Sequence, residues 1–514
     1  MTANAEYILS FDLGTSSFKA AIYDVKGQIV GSAQQPCKLV SPQIGWAEQD
    51  PDDWWDKTSI LTKTLLHKTL ISPGQVAAVV FATQMCGTIA VNDKEEALTP
   101  AIIWLDTRSK KTVRKAVSGL LNIFGYGLVS GLSWLYSCNG APNLAGRDPF
   151  SKILWLKNER PDIWANTKLC LDIKDFLLYR CTGQAITSPD VAHFTWLMDL
   201  RRLKWLPKLL KKFGLSETVL PKIAMATDKV ADGLTEKAAL HLGLNTHTPV
   251  FVGLGDITAG ALGSGAYKPG HAHLYFGTSN WTAAHISRHK VSPFSGIGSL
   301  VSAYASRPLL LGAQECSGSA LQKVSELLGL DENSFEIFDI AQNSPPGANG
   351  IMFLPWLQGE RSPLDDASIR GGFLNLSLAT CRADMARAAL EGLAYNQHWV
   401  AQHVFKMAGT KASQKLSVVG GLANNDLFMQ ILADVFQRTM IRVHNPQWAG
   451  TAGAFCCAAR GLGWYASLDE ACSLFEGGEV FQPRTEYGSV HANRIKKFKL
   501  AYKNNHHWYK DLTV

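Results

Sequence analysis

Two aspartates stand where a carboxylate can do chemistry. In Phe11-Asp12-Leu13-Gly14-Thr15-Ser16-Ser17-Phe18-Lys19-Ala20, Asp12 ends an apolar run and a glycine turn with small hydroxyl residues follows at once. Such a turn aims successive backbone N–H groups and hydroxyls at one space, an arrangement suited to phosphate oxygens. Asp12 then faces a metal ion, Thr15 and Ser16 line the loop, and Lys19 on the next strand returns a point charge toward the phosphate. A hairpin turn with a capping aspartate fits the same residues equally well. In Phe251-Val-Gly-Leu-Gly-Asp256-Ile-Thr-Ala-Gly260, Asp256 follows a buried strand and precedes a glycine- and alanine-rich helix. That is a strand's carboxyl end, where open sheets place ligands, and the residue serves as base or metal ligand. Capping the helix is compatible with either role.

A third segment, Leu416-Ser-Val-Val-Gly420-Gly421-Leu-Ala-Asn-Asn425-Asp, reads as strand, double glycine and apolar-periodic helix. The glycines let a ligand approach the backbone closely, although the same pattern also serves ordinary packing. The glycines at 253, 255 and 260 miss the G-x-G-x-x-G spacing, which excludes a dinucleotide fold. Walker A, eukaryotic-type kinase, G-x-S-x-G and H-E-x-x-H motifs are absent, which removes most familiar nucleotide and hydrolase classes.

The elements that must hold these residues read as alternating strands and helices of an α/β fold. Tyr7–Phe11, Phe18–Val25 and Gln28–Gln34 form a β-meander, and a helix starts at Pro51 behind Asp50 as N-cap. A buried strand follows around Gln75–Thr83. Leu169–Ile173 before Lys174–Arg180, and Pro249–Leu254 before Thr258–Gly265, read as strand-then-helix units. A Gly-Thr-Ser turn after an apolar strand occurs twice, at Gly14 and at Gly277-Thr278-Ser279, separated by about half the chain. The spacing predicts two similar domains, 1–248 and 249–514. At 514 residues, 46% hydrophobic and 18% charged, the chain can bury two to three cores, so disorder, collagen and coiled coil are excluded.

Ten scattered cysteines without a C-x-x-C pair argue against zinc and against a disulfide framework, and read as reduced thiols in a cytoplasmic protein. The N-terminus lacks the basic region of a leader, and the longest apolar stretch, about Val76 to Val91, is too short for a membrane span. The net charge of +7 suits an anionic ligand without demanding nucleic acid. Basic residues cluster in Arg108 to Lys115, Arg201 to Lys212 and Arg494 to Lys510. Each reads as a solvated face. The second is kept as a membrane-surface candidate, because Leu203, Leu206, Leu209 and Leu210 interleave with its lysines, although Pro207 interrupts a long amphipathic helix.

Together these segments resemble the FGGY carbohydrate kinases, within the superfamily of sugar kinases, heat-shock ATPases and actin, and most of all the xylulokinases. The resemblance also rests on Gly45-Trp-Ala-Glu-Gln-Asp-Pro51, Gln84-Met85-Cys86-Gly87, Trp104-Leu-Asp106-Thr-Arg108, Asp190-Val-Ala-His-Phe-Thr195, Gly359-Glu-Arg-Ser-Pro363 and Glu391-Gly-Leu-Ala394. It implies two ribonuclease-H-like (actin-like ATPase) domains with an interdomain catalytic cleft, sugar bound mainly by the first domain and ATP mainly by the second. Carried over by motif, Asp256 matches the general base and Asp12 the magnesium-associated carboxylate. Thr15, Ser16 and Lys19 match the first phosphate loop, and Gly277 and Thr278 the second. Gly421 and Asn425 fall on the nucleotide side, and Met85, Cys86, Asp106 and Arg108 in sugar-pocket segments.

The expected reaction transfers the γ-phosphate of ATP, with Mg²⁺, to a hydroxyl of a ketopentose such as xylulose or a related polyol. A loose transition state needs mainly alignment and charge neutralisation, a division of labour that one basic and one metal-side carboxylate satisfy. The expected partner is a small-molecule sugar or polyol, with no nucleic acid, no membrane and a homodimer compatible with the family. Two departures bear on the sugar: Cys86 stands where xylulokinases present histidine, and Asn424-Asn425-Asp426 looks closer to the glycerol kinase loop. The alternatives are a nucleotide-driven conformational ATPase of the actin and heat-shock type and a sugar sensor without turnover.

Overall fold

The computed structural model describes residues 6–230, 232–292, 295–331 and 336–512; residues 1–5, where the leader was sought, and the Lys510 side chain of the basic tail lie outside the described residues. The chain divides into two compact units, one of Met1–Gly263, Leu300–Ala305 and Gly450–Leu474, the other of Ser264–Ser299, Ser306–Ala449 and Phe475–Val514.

In the first unit, β1 (Tyr7–Leu13), β2 (Ser17–Tyr23) and β3 (Ile29–Pro36) form the expected meander. The helix Pro51–Thr69 begins as predicted, with the Asp50 side chain accepting from the Asp52 N–H at 3.0 Å. β4 (Val76–Thr83) is buried at every position, as a central parallel strand covered on both faces must be. With β5 (Lys229–Val230) and β6 (Val250–Gly255) the sheet runs β5-β6-β4-β1-β2-β3. Its core includes Phe11, Phe18 and Phe81, with Phe11 stacked on Phe81 at 4.9 Å.

The second unit holds β7 (Ala272–Phe276), β8 (Asn280–His285), β9 (Val291–Ser292), β10 (Ile297–Leu300), β11 (Leu309–Gln314), β12 (Leu416–Val419), β13 (Met440–Arg442) and β14 (Glu479–Phe481). Their order is β9-β10-β11-β8-β7-β12-β13-β14. Five strands repeat the first sheet: β11-β8-β7-β12-β13 matches β3-β2-β1-β4-β6 in order and in orientation, two antiparallel pairings followed by two parallel ones. The repeated Gly-Thr-Ser turn joins the equivalent hairpin in each.

Two expectations need correction. A boundary at 248 would sever β6 from its sheet, because β6 pairs in parallel with β4, Gly255 opposite Thr83; the first unit runs to Gly263. It also reclaims 450–474, which Ser10 fastens by donating from Oγ to the Thr451 carbonyl at 2.7 Å. The segment Leu169–Leu171 is not a strand of the parallel sheet either. It pairs antiparallel with Ile89–Val91 in a separate two-stranded ladder, although its helix, Ile173–Thr182, is present.

Candidate active site

Register places the chemistry of the first unit. β1, β4 and β6 are parallel, with Asp12 opposite Ala82 and Gly255 opposite Thr83, so Asp12, Gln84 and Asp256 leave the sheet at the same edge. This is the carboxyl end of the parallel strands, where a doubly covered sheet is open to ligands. The turn after β1 closes through Gly14 N–H to the Ser17 carbonyl at 2.9 Å and sets Lys19 opposite Asp12 on β2.

Both carboxylates are partly accessible yet surrounded by protein. Burial pushes the Asp12 carboxyl above the usual carboxylate range, and the Lys19 cation offsets part of that rise. Asp256 is pushed up to about 8, first by burial and then by the negative charge of Asp12, against a backbone hydrogen bond from Ile257 N–H at 2.9 Å. Asp256 is the first residue of the helix Asp256–Gly263, held from behind where Asp190 Oδ2 accepts from Gly255 N–H at 2.8 Å.

Thr15 belongs to a closed ring. Its hydroxyl donates to Gln84 Oε1 at 3.0 Å and accepts from Trp104 Nε1 at 2.9 Å, Gln84 Nε2 donates to Gln49 Oε1 at 2.7 Å, and Gln49 Nε2 returns to the Thr15 carbonyl at 2.8 Å. The hydroxyl expected to meet phosphate therefore braces the wall between β1 and β4. Ser16 is exposed on that turn.

The segments expected on the sugar side are held by residues that sequence reasoning did not single out. Met85 packs against Gly255, where any Cβ would strike its sulfur. Cys86 has φ +65°, unusual for a residue with a side chain. That turn is held by Lys152 in the helix Pro149–Glu159, whose Nζ donates to the carbonyls of Cys86 at 2.5 Å, Ile103 at 2.9 Å and Arg147 at 2.9 Å. Burial lowers the Lys152 ammonium to about 8 against the surrounding acidic groups. On the other side Asp172 Oδ1 accepts from Gly87 N–H at 3.1 Å. Burial, reinforced by Asp172, raises the Cys86 thiol well above its ordinary range, so it stays a neutral thiol and not a nucleophile. Asp106 is buried and accepts from Ala47 N–H at 2.6 Å and from Arg108 Nη2 at 2.7 Å. Arg108 also reaches Glu48 at 2.7 Å and lies over the Trp46 ring at 3.5 Å.

Lys152 is a positioning residue by this geometry. The signal for it in the sequence is a single lysine inside the apolar run Phe150-Ser-Lys-Ile-Leu-Trp-Leu156. Lys152→Met keeps the stem's volume and strands three buried carbonyls, so unfolding free energy should fall by about 3 kcal/mol. The sugar KM should rise more than kcat falls, a split that thermal melts and steady-state kinetics together check.

In the second unit Gly277 and Thr278 sit at the end of β7. Gly277 N–H donates to the Ser279 carbonyl at 3.0 Å, and Gly318 N–H, opening the helix Gly318–Leu327, donates to the Gly277 carbonyl at 2.8 Å. Ser317 N–H reaches the Thr278 carbonyl at 3.0 Å. At the end of the neighbouring β12, Gly420 has φ +99° and Gly421 has open space where a side chain would be. Asn425 caps the helix Asp426–Phe436, its Oδ1 accepting from Phe428 N–H at 3.1 Å. The structure thus gathers Asp12, Lys19, Met85, Cys86 and Asp256 around one sheet edge of the first unit, and Gly277, Thr278, Gly421 and Asn425 around the equivalent edge of the second.

A magnesium ion fits Asp12 as its protein ligand. Gly450, at the start of the helix Ala449–Gly461, lies so close to the Asp12 carboxylate that a Cβ there would strike it, so glycine lets the helix start pack against a carboxylate that stays partly accessible. Among the described residues no group of three or more His, Cys, Asp or Glu could hold a metal ion. Mg²⁺ commonly takes one or two carboxylates with retained waters and substrate phosphates, so a single carboxylate at a phosphate-sized turn suits it.

The family model for the N-terminal domain of the FGGY family of carbohydrate kinases matches residues 7–263, and the model for the C-terminal domain matches 272–462. The chain is 29% identical to a xylulose kinase of Staphylococcus epidermidis over 500 residues, 97% of each chain. It is 28% identical to a glycerol kinase of Thermococcus gammatolerans over 496 residues, 93% of each. The crystal structure of a gluconate kinase from Lactobacillus acidophilus superposes with a TM-score of 0.86 at 25% identity, covering 99% of each chain. With both domain models matched over most of its length, the chain belongs to the FGGY family of carbohydrate kinases, phosphotransferases acting on sugar hydroxyl groups.

Proposed function

We propose that this kinase transfers the γ-phosphate of Mg-ATP to a hydroxyl of a ketopentose such as xylulose, or of a closely related polyol. The observation that carries the reading is the pair Asp12 and Asp256 at one sheet edge, with Asp256 pushed up to about 8 by burial and by its neighbour's charge. Burial raises both carboxyls, and the value near 8 matches Asp256 to proton acceptance close to neutral pH, leaving Asp12 for the metal side. Asp256 takes the proton of the attacking hydroxyl. Asp12 holds the magnesium side, where the ion would neutralise charge on the transferring phosphoryl group. The turn amides from Thr15 to Ser17, with Lys19, cradle phosphate oxygens in the first unit, and Gly277, Thr278, Gly421 and Asn425 hold the nucleotide in the second. Met85 and Cys86 form the sugar wall.

Arg108 favours a neutral sugar over an aldonate. Its fork is spent on Asp106 and Glu48, so a substrate carboxylate would meet a guanidinium already neutralised twice. The test is coupled ADP release with Mg-ATP across ketopentoses, pentitols, glycerol, ketohexoses and gluconate. Stimulation by a ketopentose or pentitol well above gluconate is expected. Stimulation by gluconate alone would overturn the substrate assignment, and no stimulation by any of them would overturn the kinase reading in favour of ligand binding without turnover.

A further inference from the structure

The surface around residues 110–136 and 201–212 is not absorbed by the phosphotransfer site. No Asp or Glu lies between Asp106 and Asp148, a stretch that carries Lys110, Lys111, Arg114 and Lys115 beyond the paired Arg108. Nor does one lie between Asp199 and Glu217, where six further Lys and Arg residues fall. Both stretches belong to the first unit.

Between the cations the surface is apolar. The helix Leu128–Cys138 turns Trp134 and Cys138 inward, Trp134 Nε1 donating to the Trp196 carbonyl at 3.0 Å. Its other face carries Leu128, Val129, Leu132, Leu135 and Tyr136, the spacing of one helical stripe, and all five are exposed. Exposure reaches 83% for Val129, 71% for Tyr136 and 59% for Leu132. The preceding hairpin, Asn122–Ile123 with Tyr126–Gly127, holds Phe124 at its tip with φ +51° and 76% exposed. Leu120 is as exposed as in an extended peptide, at 102%. A contiguous cluster of this kind is unusual on a water-facing surface.

The cations frame it. Lys212 Nζ donates to Ser130 Oγ at 2.5 Å, tying the helix Pro207–Lys212 to the apolar helix, and the Arg201 guanidinium lies 4.3 Å from the Tyr136 ring. Lys110, Lys111, Arg114 and Lys115, on the helix Lys110–Val117 that packs by the hairpin strand Tyr126–Gly127, are exposed, and Arg114 Nε donates to the Leu144 carbonyl at 3.2 Å.

We propose that this face is a peripheral docking surface for an anionic phospholipid membrane, with the 120–136 side chains entering the headgroup boundary and the two flanking basic runs meeting the lipid phosphates. Apolar side chains on one helical face with Lys and Arg beside them are the composition of an interfacial anchor. A second copy of the chain is disfavoured, because a two-fold contact would set the same acid-free basic rims against each other. Side chains this exposed protrude rather than line a groove, and a deformable lipid surface accepts them without a preformed complement. None of the described helices is long and apolar enough to cross a membrane, so the contact is with the surface.

The full-length chain should float with vesicles of phosphatidylcholine containing about a third phosphatidylglycerol at about 0.1 M salt, and lose that binding at about 0.5 M. Vesicles of phosphatidylcholine alone should bind it far less. Val129→Asp with Leu132→Asp should lower the bound fraction at least about ten-fold. Lys208→Glu with Lys211→Glu should do so independently, at about five-fold for each lysine lost, the factor for roughly 1 kcal/mol. All four positions are exposed or at the rim, and unchanged far-ultraviolet circular dichroism and melting confirm that the variants fold. Absence of flotation of the parent chain on the anionic vesicles would overturn the proposal. So would flotation unchanged by the two aspartates, which would reduce it to adsorption by charge alone. Self-association abolished by Val129→Asp, with no vesicle binding, would assign the face to a second copy and overturn it as well.

Discussion

Asp256→Asn should cut kcat by about 10²- to 10⁴-fold and at the same time make the folded protein more stable near pH 8. The first effect follows from removing the group proposed to accept the hydroxyl proton; an amide of the same shape still fits the start of the helix Asp256–Gly263 but has no basic lone pair to offer. The second follows from linkage. Asp256 titrates near 8 in the folded chain and near its ordinary value of 3.8 when unfolded. Below 3.8 both states hold the proton and the group costs nothing. As pH rises from there toward 8, the unfolded chain releases its proton and the folded chain does not, so stability falls through that window. The Asp256→Asn substitution removes that loss, a gain on the order of 1 kcal/mol near pH 8 once partial solvent access is allowed for. Asp148, Asp172 and Glu360, raised by burial to about 6, about 7 and about 7, add their own loss in the same direction. The share of Asp256 is therefore read as the difference between variant and parent melts at several pH values. A variant that melts no higher at pH 8 than at pH 4, relative to the parent, would show that Asp256 is an ordinary solvated carboxylate. The activity profile carries the same sign: kcat/KM in the parent rises with pH as Asp256 loses its proton, and that limb disappears in the variant.

Gly450→Ala should abolish activity through a single methyl group, with kcat lowered at least about 100-fold and sugar affinity by calorimetry little changed. A Cβ at this position would sit 2.5 Å from Asp12 Cγ, closer than real Cβ atoms approach a neighbour. The Asp12 backbone is fixed on β1 with β2 on one side and β4 on the other, so the strand cannot yield and only the carboxylate end can move. The carboxylate must turn away, and the magnesium-side charge goes with it. Gly372→Ala is the control, since its Cβ meets open space away from the residues assigned to sugar, metal or nucleotide, and the fold should be undisturbed. Gly450→Ala with full activity would remove Asp12 from the reaction.

Much of the architecture is legible in the order of residues because it is local. The two glycine turns follow apolar strands, Asp50 and Pro51 announce a helix, and the half-chain spacing of Gly14 and Gly277 marks the five-strand arrangement that the two sheets share. The carboxylates are legible for the same reason: each ends a strand, and the carboxyl end of a strand is where a sheet opens. The boundary expected at 248 fails because strand membership is decided by pairing partners, and β6 finds its partner in β4, far back in the chain. Likewise 450–474 returns to the first unit through Ser10 and Tyr23, contacts with no local signature. Thr15 shows the limit at the site. Its type and place in the turn suit phosphate, but its hydroxyl is claimed by Gln84 and Trp104, residues that only the fold brings beside it. The residue types and their strand-end positions, and with them the kinase chemistry, were determined by the sequence itself. How far burial raises each carboxyl, which lysine holds the Cys86 turn and which glycine lets a helix start pack against Asp12 were decided by tertiary structure alone, because burial, charge proximity and close packing are properties of neighbours in space.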